Sequence, residues 1–182
     1  MNYLRGFIPW IAFAAISPAG WQWGALVALL IAVMLLGRQR RGGVAVDALV
    51  LETSTIIYFA ALTALAFAVP HSPLHAYTGA LSFGWLALTA WGSIAVRHPF
   101  TLGIARLSTP REYWDTLQFL RVNAIITTAW AVAFTVTAAA IAICDASGAG
   151  TVAAIACEVA GFVIPAVFTA RYPKAVQSRL AS

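Results

Sequence analysis

Apolar runs long enough to cross a bilayer follow one another through this chain, interrupted only by short breaks of Pro, Gly and charge. A membrane-spanning helix needs about 20 predominantly apolar residues. Runs of that kind occupy residues 21–37, 48–69, 77–96, 123–144 and 151–170, and a shorter one occupies 6–18. Only 9% of the 182 residues are charged, against about 25% in soluble domains, so no soluble domain fits between the runs. The pattern predicts a single all-α polytopic transmembrane domain over residues 1–182. It would be a bundle of about six helices in three successive hairpins, the first helix short or re-entrant. No small-residue cleavage site follows the first run, so that run is expected to stay as a span.

Charge sets the expected orientation. All 11 Lys and Arg fall in alternate breaks: at Arg5, at 38–41, within 97–121 and in the tail from Arg171 to Arg179. The positive-inside rule then puts both termini and residues 97–122 on the cytoplasmic side of an inner membrane. The loop 71–75 carries no Lys or Arg and belongs to the other side. A formal charge of +5 made of singly scattered residues at span ends is an orientation signal and predicts no nucleic-acid partner.

Residues 97–122 form the longest interval that is not simply apolar. Thr109, Pro110 and Glu112 match a helix-capping box, with Thr109 as the expected N-cap. Tyr113, Leu117, Leu120 and Ala124 then share one face, which predicts an amphipathic cytoplasmic lead-in helix feeding the fifth span. Arg97, Arg106, Arg111, Trp114 and Arg121 are its candidate partner-binding or lipid-head-group residues. The alternative, an interfacial start to a long helix, stays open.

The same interval carries a resemblance. Arg97, Pro99 and Phe100 follow a span, a basic linker leads to Pro110 and Trp114, and Asn123 precedes Trp130-Ala131-Val132-Ala133-Phe134. With Phe7-Ile8-Pro9 ahead of the first apolar run and the double hairpin of the first two segments, the chain resembles the intracellular septation protein A family of bacterial inner-membrane proteins. The likeness covers most of the chain in layout and about a third in residues. It implies a cytoplasmic-membrane protein linked to envelope maintenance and division, and it brings no catalytic residues.

Ionisable residues inside spans are costly and serve as functional candidates. Glu158 lies near the middle of the last run, on a face with Thr151, Ala154, Gly161 and Pro165. Glu52 lies near the start of the third, after Asp47 and ahead of Tyr58. Thr78, Ser82, Trp85, Thr89 and Ser93 make one polar-aromatic stripe, and Asn123, Thr127, Trp130 and Thr137 make another. Such stripes point either to helix packing or to a polar cavity. Glu158 and Glu52 are thus the candidate catalytic or proton-coupled residues, and Trp85, Thr89, Asn123, Thr127, Trp130 and Tyr58 the candidate pocket lining. His71 and His75 offer two ligands without a third, so no metal is expected, and no cofactor motif occurs. Cys144 and Cys157 read as packing thiols, with a disulfide open if both reach an oxidising face.

Two functions compete. One is a non-catalytic membrane protein that organises envelope or division machinery, with membrane lipids and other envelope proteins as partners and homo-oligomerisation left open. The other is a small transporter or intramembrane enzyme with a lipid or isoprenoid substrate near Glu52 or Glu158. A ligand-sized cavity beside either glutamate would separate them.

Overall fold

The computed structural model describes residues 3–44, 49–107, 109–148 and 150–180; Asp47 and the side chains of Lys174 and Arg179 lie outside the described set. Among the described residues every regular element is helical. The helices are α1 (Ile8–Ile16), α2 (Trp21–Arg41), α3 (Val50–Ala68), α4 (Thr78–Ala95), α5 (Phe100–Arg106), α6 (Leu117–Ser147) and α7 (Thr151–Leu180). Four described helices are long and apolar enough to cross a membrane, or up to five if α4, with the turn before it, and α5 count as one span bent by 77°. These helices fit a multi-pass integral membrane protein.

The chain divides into two compact units, one of residues 1–76 and 103–108, the other of 77–102 and 109–182. In the first, α1 and α2 pack through small residues: Ala25, Ala28 and Ala32 are buried, and Gly24 lies against the backbone of Ser17 and the ring of Phe13. An aromatic cluster joins α1 to α3. Trp10 stacks on Tyr58 at 5.0 Å and tilts against Phe59 at 4.8 Å, while Phe13 meets Phe59 at 5.5 Å. The indole N–H of Trp10 donates to Thr55 Oγ1 (3.1 Å), whose own hydroxyl donates to the Leu51 carbonyl (2.7 Å).

These contacts define the path of the short first segment. Gly6 abuts Leu51 at the start of α3, Trp10 meets Thr55, and Phe13 meets Phe59. Trp21 then donates to the carbonyl of Pro70, just past the end of α3 (3.0 Å), and packs on the ring of His75. Residues 6–21 therefore run alongside the whole of α3 even though α1 has only nine residues. The flanking 3₁₀ turns, Tyr3–Phe7 and Ser17–Ala19, supply the missing length. At about 2.0 Å per residue in 3₁₀ geometry and 1.5 Å in α, the segment covers about 25 Å, close to the about 28 Å of α3.

In the second unit, α6 is the axis on which α4 and α7 pack. It runs 31 residues without a break, about 46 Å by helix rise, well beyond a hydrocarbon core of about 30 Å. Phe83, Phe134 and Phe162 from the three helices meet at centroid distances of 5.1–5.9 Å. The link from α6 to α7 falls at Gly148–Gly150, both ends left-handed (φ 67° and 89°), slightly later than the expected turn at 145–148. Gly148 caps α6 by donating to the Cys144 carbonyl, the conformation that a glycine takes without a Cβ penalty.

The lead-in differs from expectation. Thr109 caps no helix. Residues Arg111–Tyr113 form a single 3₁₀ turn with extended Pro110 before it and no side-chain cap. The indole N–H of Trp114 donates to the Thr109 carbonyl (2.9 Å), and the Arg111 guanidinium lies over the same ring at 5.5 Å. That closure folds the segment back before a helix can propagate. Thr116 is the real N-cap, extended in backbone and accepting from Phe119 N–H at 3.3 Å. The face expected to be amphipathic is left open, with Leu117 86% exposed and Tyr113 52%.

Candidate functional site

Glu52 is the third residue of α3, where the free N–H groups of the first turn favour a carboxylate. It is 7% exposed. Its Oε1 accepts from the Gln39 amide near the end of α2 at 3.0 Å, while Oε2 is buried with no hydrogen-bond partner. Gly6 passes close by, and a Cβ there would lie 3.7 Å from Oε1. Tyr58, proposed as pocket lining, is instead buried in the aromatic cluster against Trp10 and Phe59.

Glu158 is half-buried on the eighth position of α7 and packs at the beginning of α4. A Cβ on Gly79 would come within 2.9 Å of Glu158 Oε1 and 3.4 Å of Ile141. Glu158 lies in the first third of its helix, because α7 continues ten residues past the expected stop at 170, but within four residues of the middle of the apolar span Thr151–Pro173. Cys144 and Cys157 are free and half-buried.

The second expected stripe is buried. Asn123, Thr127, Trp130 and Thr137 all lie inside the unit. Thr101 of α5 donates to the Asn123 carbonyl (3.1 Å) and shares a hydrogen bond with the Thr127 hydroxyl (2.7 Å). Asn123 turns its amide back onto the Phe119 carbonyl (2.8 Å), leaving its buried Oδ1 without a partner. Trp130 donates to Thr169 Oγ1 (2.9 Å), and Thr169 donates on to the Pro165 carbonyl (2.8 Å). Thr137 faces Gly161, which has no room for a side chain. Thr101 was missed because it lay in the presumed linker, and Thr169 because a lone Thr at a span end carries no signal of its own.

The first stripe divides. Thr78, Ser82 and Ser93 are buried; Trp85 and Thr89 are half-buried, with the Thr89 hydroxyl donating to the Trp85 carbonyl at 2.9 Å. Ser93 staples the bend after α4, donating to the Ala90 carbonyl and accepting from Phe100 N–H at 3.1 Å. Arg97 sits in that bend with a left-handed backbone (φ 59°), a conformation uncommon outside glycine, and is exposed.

Of the candidate head-group residues, Arg111 and Trp114 stand together in one turn, Arg121 projects from the first turns of α6, and Arg106 is half-buried. Two clefts open along α6 and α7. One, of about 690 Å³, is apolar and runs from Ile125 and Phe168 to Ala140 and Cys157. The other, of about 370 Å³, is lined by Leu117, Gln118, Arg121, Val122, Tyr172 and Val176. Neither is lined by Glu52, Glu158, Trp85 or Trp130. Comparison with family models, with curated proteins and with solved structures finds no match to this chain.

Proposed function

We propose that this is a non-catalytic protein of the bacterial cytoplasmic membrane, akin to the septation protein A family, that organises envelope or division machinery through its cytoplasmic face. The observation that carries this reading is how the polar core is used. Thr55, Thr101, Thr127, Trp130 and Thr169 bond to one another or to backbone carbonyls within their units, which is structural use. Arg97, Arg111 and Arg121 are exposed at helix ends, where they can meet partner proteins or anionic lipid.

The test is genetic. Reversing Arg97, Arg111 and Arg121 to Glu is expected to lengthen cells or misplace septa, and to weaken pull-down of envelope proteins, at unchanged protein level. Normal division with intact pull-down sinks the proposal.

A second reading, a small transporter or intramembrane enzyme, keeps one specific support: the partnerless Oε2 of a carboxylate that is 7% exposed. Buried acids left half-satisfied are expensive and often functional. On this reading Glu52→Gln abolishes proton-coupled flux in vesicles; on the first it leaves growth and folding unchanged, since the amide can still pair with Gln39.

A further inference from the structure

The two clefts along α6 and α7 adjoin. Phe168 lines the apolar one and Tyr172 the polar one, and their rings stack at 4.9 Å with an angle of 18°. On α6, Ile125 of the apolar cleft lies one turn from Arg121 and Val122 of the polar one. Along this seam the chemistry changes from a charged cup to a mainly apolar trough.

The cup offers a guanidinium, a phenol hydroxyl and a side-chain amide, a donor set suited to phosphate oxygens. It also lies on the first turns of α6, whose free amides give that helix end a partial positive charge. The trough is walled by small and branched residues, including Ala129, Val132, Ala133, Ala140 and Ile164. From Ile125 to Ala140 it measures about 22 Å by helix rise, longer than the roughly 15 Å thickness of one leaflet's hydrocarbon. It is open to its surroundings, since only 11% of the apolar window of α7 is buried.

We propose that this seam binds one anionic phospholipid, with the phosphate held by Arg121, Tyr172 and Gln118 and an acyl chain laid along the trough. A helix from a second copy suits the trough's small residues but not its end, because it would cover Arg121 without neutralising it. A phosphate resolves that charge. The site is a property of the purified chain and holds or falls independently of any role in division.

Native mass spectrometry of the full chain, with equal amounts of phosphatidylglycerol and phosphatidylcholine in detergent, tests it. The expected result is one phosphatidylglycerol per chain, preferred roughly tenfold, as a charge-assisted contact allows. Arg121→Gln with Tyr172→Phe should erase the preference and Arg121→Lys should keep most of it. Arg40→Gln, exposed on α2 and outside the cup, should leave it unchanged, and Ala133→Phe should lower retention of both lipids. Millimolar inorganic phosphate alone should not compete, which separates a lipid from a free anion. Equal retention of the two lipids, an unchanged Arg121→Gln/Tyr172→Phe variant, an equal loss in Arg40→Gln, or lipid-free dimers cross-linked through the trough would each overturn it. Melting curves of every variant exclude loss by unfolding.

Discussion

Gly161 and Thr137 show how tightly single residues constrain the second unit. A Cβ added at Gly161 would meet the Thr137 hydroxyl, its Cγ2 at 2.8 Å and its Cβ at 3.0 Å. These are atoms near the base of a buried side chain, so little can move aside. Gly161→Ala should destabilise by about 1–3 kcal/mol, the usual cost of overpacking. Thr137→Ala in the same chain should recover part of that, because it removes two of the three obstructing atoms. A double-mutant cycle in thermal unfolding reads the coupling, and additive losses would show that α6 and α7 do not meet there. Gly79→Ala is the contrast: its obstacle is the far end of Glu158, which can swing, so the loss should be small. Trp130→Phe should cost more than the about 0.6 kcal/mol typical of one interhelical hydrogen bond in a membrane, because it also leaves a cavity where a fully buried indole sat, while Thr169 keeps its bond to Pro165. The faces of these residues were legible from spacing alone: Asn123, Thr127, Trp130 and Thr137 recur at helical intervals, and all four are buried. Their partners were not, since pairing Trp130 with Thr169 depends on the register between two helices, which no local pattern encodes.

At the scale of elements, periodicity and breaks located helices well and their ends less well. Thr78–Ala95 and Val50–Ala68 lie within a residue or two of the apolar runs, because hydrophobic length and helix length coincide in a bilayer-spanning segment. The cap of α6 went astray because two Thr compete: the indole of Trp114 takes the Thr109 carbonyl five residues back, and Thr116 caps the helix. The first segment turned on a different point: nine α-helical residues look too few to cross, but 3₁₀ turns stretch them alongside α3. This makes a prediction. In a background with Cys144 and Cys157 replaced by Ser, Arg5→Cys should be labelled by an impermeant maleimide from the same side as Arg41→Cys. Ala19→Cys should be labelled from the other side. All three positions are exposed. A re-entrant first segment would put Arg5→Cys and Ala19→Cys on one side.

For the molecule as a whole, the strongest determinant is the distribution of charge over the breaks. The 11 Lys and Arg gather at Arg5, at 38–41, at 97–121 and in the tail, and by the positive-inside rule they predict one orientation several times over. Each cluster lies within a few residues of a span end, where basic residues count most. Redundancy of this kind has a measurable consequence. A C-terminal green fluorescent reporter should be bright and a C-terminal alkaline phosphatase silent, while phosphatase fused after His75 should be active. Neutralising Arg38, Arg40 and Arg41 together should change none of these readings, because the two later clusters still hold the chain in place. If that triple variant inverted the C-terminal reporters, orientation would rest on the first hairpin alone. The arginines at 97–121 would then be free of a topological duty and available wholly for partner or lipid contact, which the charge-reversal phenotype would register as a larger defect.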